Sequence, residues 1–169
     1  FVLRYPQEVN PGSSNDDLVL NVDFPALILD LAGIPIPPEF QGRSFRPLLQ
    51  GSTPPDWREG IYYRYWMNAA HHNVAAHYGI RTHKYKLIYY YYDGCGQPGA
   101  MRGHHGGHDR IMPLDFEPEW ELFDLEKDPR ELNNVVHDPA YAGVVEELKE
   151  ELHRLQAEVG DSRYEKDID

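Results

Sequence analysis

His77-Tyr78-Gly79-Ile80-Arg81-Thr82-His83-Lys84-Tyr85-Lys86-Leu87-Ile88-Tyr89-Tyr90-Tyr91-Tyr92 decides the fold. Tyr78, Ile80 and Thr82 alternate along one arm, and Tyr85, Leu87, Tyr89 and Tyr91 along the other, with a short polar turn between them. β-branched and aromatic residues at period two suit a pleated surface with one buried face, so the stretch predicts a β-hairpin. Two further runs have strand composition and can pair with it: Ile61-Tyr62-Tyr63-Arg64-Tyr65-Trp66 before it and Trp120-Glu121-Leu122-Phe123-Asp124-Leu125 after it. Together they predict a small antiparallel sheet centred on the hairpin.

Toward the C-terminus the period changes from two to that of a helix. Asp138 is placed as an N-cap with Pro139 at the first helical position. Tyr141, Val144, Val145, Leu148, Leu152, Leu155 and Val159 then form one stripe that Gly160 ends. The Glu- and Lys-rich opposite side is a solvated face. The tail from Asp161 is expected to be loosely ordered.

The N-terminal third has a different rhythm. Phe1–Tyr5 and Leu18–Leu20 read as short strands separated by a loop of turn formers. A helix follows, with Asp23 as N-cap, Pro25 in its first turn, Gly33 at its end and Phe24, Leu27, Ile28 and Leu31 as the buried stripe. Strand, loop, strand and helix is the rhythm of an α/β domain, of which only the tail end is present. Ile34-Pro35-Ile36-Pro37-Pro38 predicts an extended connection. Phe45, Leu48 and Leu49 are expected to anchor the irregular segment after it, and the domain boundary is placed near residues 50 to 56.

The chain has 169 residues, 41% apolar and 26% charged, which suits one globular domain or one domain plus part of another. A net charge of −12 argues against a nucleic-acid backbone or an anionic membrane as the main partner. The single cysteine, Cys95, excludes an intrachain disulfide. No apolar run reaches the ~18 residues a membrane-spanning helix needs. Phe1 opens the chain in mid-pattern, as a piece of something longer would.

Few residues stand out chemically. His71, His72 and His77 lie around the start of the hairpin, and His104, His105 and His108 in a Gly-rich stretch that could wrap an ion or simply be solvated. Cys95 lacks an adjacent base or helix start to activate it. His77 alternates with Tyr78, so one of the two must point away from the core. It is either an ordinary edge-strand histidine or a group that meets a sugar or an ester. Twelve tyrosines could offer a stacking platform for sugar rings, although the two faces of a packed sheet would use most of them.

The ordered set of segments resembles the type I sulfatases. Phe1–Pro6 and Asn21–Ile34 are similar to the last part of that family's catalytic domain. Gln41-Gly42-Arg43-Ser44-Phe45-Arg46-Pro47-Leu48-Leu49-Gln50-Gly51 is similar to the segment that follows it. Tyr78–Thr82, Lys84–Ile88 and Trp120–Asn134 resemble the C-terminal subdomain. The resemblance implies an α+β fold: a four-stranded antiparallel sheet with a packed C-terminal helix, preceded by the tail end of an α/β catalytic domain. The division it implies is residues 1–54 for the end of the catalytic domain and 55–169 for the subdomain. It also implies hydrolysis of sulfate esters.

The family's formylglycine, made from Cys or Ser in a C/S-x-P-S-R motif, and its calcium ion have no counterpart here. Gly94-Cys95-Gly96-Gln97-Pro98 is not that motif. Both cofactors are expected in a missing N-terminal part of a parent enzyme, no catalytic residue or metal ligand is carried over, and this chain alone is expected to be inactive. What the resemblance carries over is substrate reading: His77, and second to it His72, are similar to positions that face sulfated amino sugars. The expected partner is thus a sulfated carbohydrate or other sulfate ester, bound together with the missing domain. Self-association through the apolar face of the Phe24–Leu31 helix is a further expectation. The alternative is a stand-alone carbohydrate-binding or assembly module, which a start codon just upstream of Phe1 would favour.

Overall fold

The computed structural model describes residues 1–66, 74–91 and 118–161. They form two compact units, Phe1–Glu59 and Gly60–Asp169.

The second unit is built on the hairpin. Strands β1 (Gly60–Tyr65), β2 (His77–Thr82), β3 (Tyr85–Tyr90) and β4 (Glu119–Asp124) form a four-stranded sheet in the order β1-β2-β3-β4. Every neighbouring pair is antiparallel, with Tyr65 opposite His77, His77 opposite Tyr90 and Tyr90 opposite Glu119. The hairpin turn is closed by Thr82, whose hydroxyl accepts the Tyr85 N–H at 2.9 Å. Asn134 finishes the outer edge of β4, its side-chain oxygen accepting the Leu122 N–H at 2.9 Å.

Helix α3 (Ala142–Glu158) covers one face of this sheet. Asp138 caps the 3-10 turn at Pro139–Tyr141 that leads into it, accepting the Ala140 N–H. Tyr78, Ile80, Leu87 and Leu122 from the sheet are fully buried with Leu152, while Val145 and Leu148 complete the layer. The period-two and helical stripes thus meet each other, as their patterns require. Val159, expected in the stripe, is exposed because it lies beyond the helix end.

The core face also holds a charge. Arg64 and Asp161 form an ion pair at 2.9 Å with the arginine side chain only 3% exposed, and the Tyr62 hydroxyl donates to the same carboxylate at 2.5 Å. Asp161 is therefore fixed, contrary to the loose tail expected from that residue. A buried, hydrogen-bonded pair holds it where sequence offered only a polar terminus.

In the first unit, α1 (Asp23–Leu31) and the short α2 (Arg46–Leu49) enclose a cluster of Leu27, Phe45, Leu48 and Trp57. The unit reaches Glu59 because Trp57 Nε1 donates to the Leu18 carbonyl at 3.0 Å and Arg58 binds Asp23. Gly33 and Gly160, at φ 69° and 75°, close α1 and α3 in the left-handed conformation expected of them.

Three local expectations are corrected. Asp23 is not the side-chain cap of α1; Val22 holds that position and no side chain caps it. The Asp23 carboxylate is fully buried and accepts the Leu20 and Arg43 N–H groups as well as the Arg58 guanidinium. Residues 1–5 and 18–20 form no strand. Tyr5 O instead closes a turn with the Glu8 and Val9 N–H groups, and Leu20 N is taken by Asp23. Ile28, placed in the buried stripe, is 64% exposed.

Candidate functional site

Because α3 occupies one face of the sheet, the residues one step out of phase share the other. Tyr63 and Tyr65 from β1, His77 and Gly79 from β2, and Ile88 and Tyr90 from β3 lie there in register. The sequence argument that His77 and Tyr78 must point apart is realised: Tyr78 is fully buried under α3, and His77 is half-buried on the opposite face.

His77 is held on several sides. Its ring stacks on Tyr65 with centroids 5.4 Å apart and an interplanar angle of 26°. Tyr90 lies tilted at 5.0 Å, and Tyr63 presents an edge-to-face contact at 6.0 Å. Nδ1 lies 2.8 Å from the Ala75 carbonyl oxygen. Burial lowers the imidazole pKa below its usual value, Lys86 adds a smaller push in the same direction, and the Ala75 hydrogen bond opposes both.

The surrounding polar groups are unevenly satisfied. The Tyr63 hydroxyl is buried and has no hydrogen-bond partner among the described residues. The Tyr90 phenol is pushed up to about 12, first by burial and then by the neighbouring carboxylates, Glu121 foremost. Burial likewise raises the Glu121 carboxyl. Lys86 forms an ion pair with Glu131 at 2.5 Å.

His72, the second sequence candidate, lies outside the described residues, as do His71, Cys95, His104, His105 and His108. The tyrosine frame of His77 was only half legible. The wealth of tyrosine suggested a platform, but which tyrosines share a face with His77 follows from the pairing register, which no composition reveals. Among the described residues no group of three or more His, Cys, Asp or Glu side chains comes together that could hold a metal ion.

A four-stranded antiparallel sheet with a C-terminal helix packed on one face is the arrangement of a sulfatase C-terminal region. The chain belongs to the family described as N-sulphoglucosamine sulphohydrolase, C-terminal, whose pattern it matches over residues 1–96 and 111–158. It is 37% identical to the N-acetylglucosamine-6-O-sulfatase of Bacteroides thetaiotaomicron, over 96% of this chain and 25% of that protein. An ulvan-active sulfatase of Formosa agariphila is 28% identical, over 95% of this chain and 33% of that protein. Among solved structures, a protein bound to its substrate D-glucosamine-2-N,6-O-disulfate superposes with a TM-score of 0.78 at 35% identity, over 97% of this chain and 29% of that one. The chain thus spans about a quarter of the first of these relatives and a third of the second.

Proposed function

We propose that this chain is the C-terminal portion of a sulfuric ester hydrolase and that its sheet helps to form the pocket for a sulfated amino sugar. In this reading residues 1–54 end the α/β catalytic domain and 55–169 are the subdomain that reads the sugar. His77 is the foremost substrate-reading residue and His72 the second. The formylglycine nucleophile and the calcium ion belong to the catalytic part outside this chain, so the chain by itself carries out no hydrolysis. The exposed Val22 and Ile28 side chains leave α1 an apolar face that the rest of the catalytic domain or a second copy would cover.

One observation carries the reading: His77 stands half-buried on the sheet face opposite α3 with its ring held by Tyr65 and Tyr90. A ring so positioned has lost its freedom before any ligand arrives, which lowers the cost of recognition. The relatives support the substrate class, since one is named for N-acetylglucosamine 6-sulfate chemistry and a structural neighbour holds a sulfated glucosamine.

The test is His77→Ala in the full-length enzyme, assayed on N-acetylglucosamine 6-sulfate and on a small aryl sulfate. The expected result is a fall of about 10- to 100-fold in kcat/KM on the sugar, with the aryl sulfate changed by less than about threefold. Equal losses on the two substrates, or none, would sink the assignment.

A further inference from the structure

The contact between His77 and Ala75 fixes more than the orientation of the ring. A carbonyl oxygen can only accept, so at 2.8 Å the Nδ1 atom must carry the hydrogen. In the neutral imidazole the other nitrogen, Nε2, is then a bare lone pair. Among the described residues nothing donates to it, and the flanking Tyr65 and Tyr90 rings hold it in place.

We propose that His77 presents Nε2 as a hydrogen-bond acceptor, and that it reads a neutral donor of the sugar, a ring hydroxyl or an amide N–H, and not the sulfate group. This rests on the proposed role of the His77 face and assigns its polarity. A sulfate ester oxygen only accepts, so a lone pair facing it would repel it. A hydroxyl or an acetamido N–H can donate.

The groups around the ring favour the neutral form. Tyr63 and Tyr65 approach from β1 and Tyr90 from β3, Lys86 lies further along β3 opposite Arg81, and Glu119 and Glu121 stand on β4 beyond Tyr90. Lys86 is cationic and acts against a second positive charge, and the burial of the ring does the same. Neither Glu119 nor Glu121 is among the groups that shift His77, whose neutral form is favoured by burial first.

Two measurements test the assignment. The first is a long-range proton–nitrogen NMR spectrum of the imidazole nitrogens in the 169-residue chain at pH 7.5, with His77→Gln used to identify the signals. A neutral ring with hydrogen on Nδ1 is expected; a ring protonated on Nε2, or on both nitrogens, overturns the proposal. The second uses the full-length enzyme on N-acetylglucosamine 6-sulfate and on its 3-O-methyl, 4-O-methyl and N-deacetylated, N-formyl-N-methyl analogues, each lacking one donor.

For one of these analogues the wild type should lose about tenfold in kcat/KM, the size of one neutral hydrogen bond, and His77→Ala should lose nothing further. His77→Gln, which can place an amide oxygen near the Nε2 position, should recover part of the discrimination. If every analogue loses equally in wild type and His77→Ala, the acceptor role is wrong while the sugar-against-aryl preference of the parent reading can stand. If His77→Ala shows no preferential loss on the sugar, the parent reading falls and the acceptor role falls with it.

Discussion

Tyr63 lies across Gly79: a Cβ at Gly79 would sit 2.9 Å from the Tyr63 hydroxyl and 2.4 Å from the Leu87 carbonyl oxygen. The glycine lets an aromatic ring from the edge strand lie over the second strand, where it meets His77 edge-on. Glycine in the middle of a strand is otherwise unfavourable, and close approach of a neighbour is the common reason for it. Gly79→Ala should therefore lower stability by roughly 1–3 kcal/mol, since the Leu87 backbone cannot swing aside as a side chain can. Urea unfolding checks this, and an unchanged midpoint would show that the sheet absorbs the methyl group.

Asp23 is a buried carboxylate whose partners are fixed. Burial pushes its carboxyl upward, but the Arg58 hydrogen bond and the Arg43 and Leu20 N–H groups outweigh that and hold it below the usual range. Asp23→Ala leaves Arg58 without its buried partner and should cost about 3–5 kcal/mol. The sign with pH follows from the depressed native value. The carboxylate's contribution is complete above the unfolded value of about 3.9 and is lost as pH falls from there through the native one, because in that interval the unfolded state takes up the proton and the native state does not. A stability profile between pH 2 and 6 should accordingly be shallower in the variant than in the wild type.

The two helical stripes make opposite predictions at superficially similar residues. Leu152 on α3 is fully buried against the sheet, and Leu152→Ala should cost about 2–5 kcal/mol through lost burial and the cavity left behind. Ile28 on α1 is 64% exposed, so Ile28→Ser should change stability by less than about 0.5 kcal/mol. Thermal or urea unfolding of the two variants separates them. An Ile28→Ser loss as large as that of Leu152→Ala would mean that α1 is covered in solution.

The fold was legible where its pattern is local. Alternation from Tyr78 to Tyr91 and the stripe from Tyr141 to Leu155 are periodicities of the chain itself, so strands, helix and their buried faces could be read before any contact was known. The same alternation set His77 opposite in direction to Tyr78. Asp138, Gly33 and Gly160 were legible for the same reason, since capping chemistry acts over one turn.

Long-range partners belong to the tertiary structure alone. Asp23 looked like an ordinary helix cap because its sequence neighbours allow one; Arg58, 35 residues away, takes the carboxylate instead. Asp161 looked like the start of a loose tail until Arg64, 97 residues distant, closed on it. The register that brings Tyr65, His77 and Tyr90 abreast decides which of many tyrosines frame the histidine. A sequence states which side of a strand each residue takes, because that depends on bond geometry repeated every two residues. Which residue stands beside it on the next strand depends on how the whole sheet closes, and only the folded chain settles that.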